Sequence, residues 1–204
     1  MYRYLDLISA TLRHSLMPHL LIASGLLLLL PAVFGIAALD AQAAAVPLEL
    51  GLSFLGVILF SPILQPEQEA GVWAAVASRS TPYPAVCLLR ALLSLLLTAA
   101  LSGGFVLLMR GNACAVGIGH WFGAVSNAVF LGGLGLLSAA TGGNIAVGYM
   151  VPICYYALNL MGDFGRFSLF SMMQGGGDNK LLLFGLGTAA LAAAVGLRQY
   201  LQRR

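Results

Sequence analysis

Apolar residues in this chain come in long runs, and the polar ones gather in short clusters between them. A helix needs about 20 predominantly apolar residues to cross a hydrocarbon layer about 30 Å thick. Six stretches are read as such spans: 16–39, 50–64, 85–109, 120–140, 145–161 and 181–197. The second is short by that measure, and Leu48 or a tilt lengthens it. Pro18 and Pro31 fall in the first, where neighbouring helices can satisfy the carbonyls they free. Arg90 lies close enough to the start of the third to snorkel back to the interface.

The clusters between the runs differ in kind. Ahead of the first span, Leu5, Ile8 and Leu12 recur at helical spacing with Arg3, Asp6 and Arg13 between them, the pattern of a short helix lying in the membrane interface. Asp40 to Pro47 reads as an Ala-rich connection, with Glu49 at the mouth of the next run. Residues 110–119 read as a Gly-rich loop and 141–144, Thr-Gly-Gly-Asn, as a tight turn. Residues 162–180 mix Asp163, Arg166, Asp178 and Lys180 with Phe164, Phe167 and Phe170, and contain three successive glycines.

The longest polar segment, 61–84, separates the second and third spans and has a Pro-bearing boundary at each end. Glu67 and Glu69 follow Pro66, and Val72, Trp73, Val76 and Ala77 lie at helical spacing, so 67–78 reads as a short helix with its carboxylates at the positive end of the dipole. Arg79-Ser-Thr-Pro82 ends it, because Pro82 biases the residue before it away from helix. A helix this short is unstable alone in water, so it packs on the membrane domain, the headgroups or another protein.

Composition agrees with the runs. Of the 204 residues 60% are hydrophobic and 8% charged, with a mean hydropathy of +0.92, against roughly 45–50% apolar residues in soluble domains. The fold class is therefore an all-α membrane protein, a single transmembrane domain over residues 1–204. The net charge of +3 is scattered and offers no nucleic-acid face. It does orient the spans: Arg3, Arg13, Arg79, Arg90, Arg198, Arg203 and Arg204 flank one side, against Arg110, Arg166 and Lys180 on the other. The positive-inside rule then puts both termini and the Glu67 segment in the cytoplasm.

Candidate chemistry within the spans is sparse. Cys87, Cys114 and Cys154 fall singly, without the spacing of metal ligands. Glu67 and Glu69, two apart on a helix, diverge and do not make an acid–base pair. Asn127, Tyr155 and Asn159 either line a polar route or join helices by hydrogen bonds. Gly185, Ala189 and Ala193, and the Gly132-Gly133-x-Gly135 cluster, allow close helix approach, by default within the chain. No unpaired acidic residue is expected at membrane depth, which argues against proton or sodium coupling. No G-x-x-x-x-G-K-[ST] occurs, and the only lysine is Lys180, so the chain lacks a P-loop.

The interfacial first helix, the six spans, E-x-x-x-G from Glu67 to Gly71, the following R-S-T-P-Y from Arg79 to Tyr83 and the Phe-rich external segment together resemble the membrane subunit of type 2 ATP-binding cassette (ABC) exporters. The resemblance implies a coupling helix between spans two and three that contacts a separate ATPase through Glu67, Glu69, Gly71, Trp73 and Arg79. It also implies a re-entrant helical hairpin before span six, with Phe164, Phe167 and Phe170 roofing the pathway. The expected function is ATP-driven export across a bacterial plasma membrane. The partners are a cytoplasmic ABC ATPase that carries ATP and magnesium, a second permease copy or homologue, and membrane lipids; the chain itself is expected to hold no cofactor and no catalytic residue. Two other readings stay open: an intramembrane hydrolase using Ser126 or Cys154, and a non-transporting scaffold or immunity protein.

Overall fold

The computed structural model describes residues 16–67, 83–162 and 164–202. The expected interfacial helix, and Glu69, Gly71, Trp73 and Arg79 of the expected coupling helix, lie outside them. Among the described residues the structure is helical throughout, without strands: α1 Met17–Phe34, α2 Ala41–Val46, a π-helix Pro47–Leu52, α3 Ser53–Phe60, a 3-10 helix Ser61–Glu67, α4 Tyr83–Gly111, α5 Ile118–Gly142, α6 Ile145–Met161 and α7 Lys180–Gln202. Five of the helical runs, Ala41–Leu64 among them, are long and apolar enough to cross a membrane, and α6 is apolar but only 17 residues long.

The second run is the main correction to the expected boundaries. It begins at Ala41, nine residues before the expected 50, because Asp40 caps it: Asp40 Oδ1 accepts from Ala43 N at 2.7 Å. The alanines that follow are strong helix formers. Pro47, which has no N–H to donate, removes a rung of the ladder, and the backbone continues as a π-turn through Leu52. The run then passes Pro62 and Pro66 as 3-10 turns and closes at Glu67. Residues 41–67 are thus one continuous rod.

Other ends shift for local reasons. α1 stops at Phe34, not 39, where Gly35 takes φ +67°. The connection 35–40 then pairs with 112–117, Ala38 N donating to Asn112 O at 2.9 Å and Ala115 N to Leu39 O at 2.8 Å. α4 extends to Gly111, α5 covers Ile118–Gly142, and α7 takes in Lys180 and runs on to Gln202. The turn expected at 141–144 is present, with Gly143 left-handed (φ +64°) and Asn144 Oδ1 accepting from Ala146 N at 2.9 Å.

The rod and α5 form the core: over the most apolar 18 residues of each, 72% are buried, against 11% in α1 and 22% in α7. α5 packs on the rod, α6 and α7 through small residues. At Gly187 of α7 a Cβ would stand 2.7 Å from Phe130 N, so only glycine lets the two backbones meet. The Gly185, Ala189 and Ala193 stripe is exposed, contrary to packing within the chain, and Gly187 makes the contact in its place. In place of a re-entrant helical hairpin, residues 164–179 form a cap with one 3-10 turn, Gly165–Phe167, followed by turns. Gly165, Gly175 and Gly177 all take positive φ, which breaks up any helix there.

Candidate functional site

The cap closes over a buried ion pair. The π-turn that Pro47 starts carries Glu49 into the bundle, where it is fully buried. α7 begins with Lys180, 4% exposed, and its Nζ lies 2.5 Å from Glu49 Oε1. Nζ also donates to Asn127 Oδ1 of α5 at 3.0 Å and to Leu169 O of the cap at 2.7 Å, so all three ammonium protons have an acceptor. Glu49 is equally engaged, since Oε1 accepts from Met172 N and Oε2 from Met173 N, both at 2.9 Å.

Burying two charges costs several kcal/mol per ion, and good geometry with complete hydrogen bonding offsets it. Here both conditions hold. The rod, α5, α7 and the cap meet at one point, and the unlike charges lie in contact with no water-exposed side.

The cap backbone is held from further directions. Leu169 has its N–H bonded to Asn159 Oδ1 of α6 at 2.8 Å and its carbonyl to Asn127 Nδ2 at 2.8 Å. Asn179 Nδ2 donates to Ser168 O at 2.6 Å, and Gln42 Nε2 of α2 donates to Met173 O at 2.8 Å. Tyr155 OH donates to Phe167 O at 2.7 Å, and Tyr156 OH to Leu50 O at 3.0 Å in the π-turn. Gly123 of α5 leaves the space that the Met172 and Lys180 side chains occupy.

Of the expected pathway residues, Asn127 and Asn159 are buried and grip Leu169, while Phe170 is buried with its ring 5.2 Å from that of Tyr156. Phe164 and Phe167 are exposed. Glu67 ends the rod, away from the cap. Ser126 Oγ donates to Phe122 O of its own helix at 2.7 Å, and Cys154 is exposed on α6. Among the described residues no three His, Cys, Asp or Glu side chains group as a metal site would need.

The sequence reading missed Glu49 and Lys180 as partners, having assigned one to a span mouth and the other to a loop. The usable signal was an ionisable residue two positions after a proline in an apolar run, together with the one lysine of the chain abutting another such run. Glu49 is thus an acidic residue fully buried in the bundle and paired with Lys180. Compared with family models, curated proteins and solved structures, the chain matches none.

Proposed function

We propose that this chain is the membrane subunit of a type 2 ABC exporter. It crosses a bacterial plasma membrane six times with both termini in the cytoplasm, pairs with a second permease, and is driven by a separate cytoplasmic ATPase that binds ATP and magnesium. α6 serves as the sixth crossing, its 17 residues lying at the short end of what suffices.

The observation that carries the reading is the rod 41–67, which ends at Glu67 on one side and holds the cap through Glu49 on the other. Eighteen residues separate the two glutamates, a distance of about 27 Å at helical rise, comparable with the membrane core. A push delivered by closing ATPase subunits to the segment after Glu67 is carried along one continuous element to the clasp beneath the cap, and the bundles rock between inward and outward access. The exposed Phe164 and Phe167 and the cap around them then face the exit.

The test is coupling. Glu67→Lys with Glu69→Lys, in the permease co-expressed and purified with its cytoplasmic ABC ATPase, is expected to leave ATP hydrolysis running while transport stops. Wild-type coupling in that variant removes the contact role, and an ATPase that never co-purifies removes the exporter reading.

A further inference from the structure

Between the 3-10 turn of the cap and the start of α7 lies an open cleft of about 520 Å³, within the range of small-ligand pockets. Asn179 fixes its walls: Nδ2 donates to Arg166 O at 3.3 Å and to Ser168 O at 2.6 Å, while Oδ1 accepts from Ser171 Oγ at 2.6 Å. Those bonds leave two charged side chains of the lining uncommitted. Arg166 and Asp178 are both exposed, and neither side chain has an ion-pair or hydrogen-bond partner among the described residues. Unlike charges that line one cleft without joining each other select a ligand by its charges. An anion alone meets the guanidinium and is repelled by the carboxylate, and a cation alone does the reverse; a zwitterion is attracted by both.

The rest of the lining narrows the class. Leu182 closes the cleft on the α7 side, and Leu186, one turn further along the same face, is exposed as well, followed by exposed Ala189. Leu181 beside them is 72% exposed. α7 is mostly unburied by its own bundle, so in a bilayer this apolar face meets acyl chains. The cleft is thus charged at the cap, where the spanning helix begins and headgroups lie, and runs out onto a helix face suited to hydrocarbon. A small soluble zwitterion uses only the first part, whereas an amphiphile with a zwitterionic headgroup uses both. Lys180 does not compete for the headgroup, because its ammonium is spent on Glu49, Asn127 and Leu169.

We infer that this cleft seats the headgroup of an aminophospholipid, the phosphate accepting from Arg166, the ammonium donating to Asp178 and an acyl chain lying over Leu182 and Leu186. The full-length chain, purified in detergent, is titrated with phosphatidylethanolamine and with phosphatidylglycerol of the same acyl chains, and retained lipid is counted by native mass spectrometry. Phosphatidylethanolamine is expected to be retained about five-fold over phosphatidylglycerol, the scale of one exposed ion pair, and Asp178→Asn to abolish that preference. The preference is a ratio between two lipids on one protein, so a loss of folded material does not imitate its disappearance. Arg166→Gln is expected to lower retention of both lipids, and Arg166→Lys, which keeps the charge, to preserve most of it. Equal retention of the two lipids by the unaltered chain, or an unchanged preference in Asp178→Asn, overturns the assignment. So does displacement of the bound lipid by an equal concentration of water-soluble glycerophosphoethanolamine, which marks a site for the free headgroup. The readout needs neither ATPase nor transport, so its failure and that of the exporter reading are separable.

Discussion

At the level of single residues, Glu49 and Lys180 are the most consequential pair in the chain. Each is buried with every polar atom engaged, so removing one leaves the other charged and unmatched. Lys180→Met and Glu49→Gln are each expected to destabilise the chain by about 3–5 kcal/mol, the usual cost of breaking a buried pair. The double variant, in which the amide carbonyl at position 49 still accepts from the cap, is expected to cost far less than the sum. Reversible unfolding in mixed micelles around the double-mutant cycle measures this, and additive single effects would show that the contact carries no coupling.

Among helices and turns, the contrast between two glycines of α7 is the sharpest test of packing. Gly187 abuts the α5 backbone, and Gly187→Ala is expected to lose about 1–3 kcal/mol through overpacking. Nothing lies within 4 Å of a Cβ at Gly185, and Gly185→Ala is expected to gain about 0.5–1 kcal/mol from helix propensity alone. Thermal unfolding of the two variants separates them, and like signs would place the seam elsewhere.

The same elements show what the sequence made legible. Long apolar runs announced the long helices, because bilayer-length hydrophobicity needs no partner to be recognised. The start of the second run was missed because 40–47 was read as an Ala-rich connection, whereas Asp40 caps a helix there and the backbone absorbs Pro47 by widening. The helical hairpin before span six was expected from the resemblance alone, and the glycines at 165, 175 and 177, which take positive φ, are what the cap has in its place. Asn127 and Asn159 were visible as polar residues in spans, but their joint grip on Leu169 depends on the cap folding back, which no local pattern encodes.

For the whole molecule, the cap and the turn between α5 and α6 are expected to lie on opposite sides of the membrane. Gln174 and Thr141 are both exposed, one in the cap and one at the turn between α5 and α6. With Cys154 replaced by Ser, Gln174→Cys is expected to react with an impermeant maleimide on intact cells and Thr141→Cys only after lysis; the reverse pattern inverts the topology.

Among the described residues, side chains from several segments converge on the cap. Around the ion pair, side chains of the rod, α5, α6 and α7 hold the cap backbone. Toward the Glu67 end, Arg90 Nη1 reaches Ile63 O at 3.1 Å and Ser61 Oγ reaches Gly148 O at 3.3 Å. Amide hydrogen exchange is accordingly expected to be slower at 169–173 than at 141–145. In the proposed exporter a bundle fastened this way would work like a pair of tongs: the cap and its ion pair would be the fulcrum and the Glu67 end of the helices the jaws, where a small angular change becomes the widest displacement.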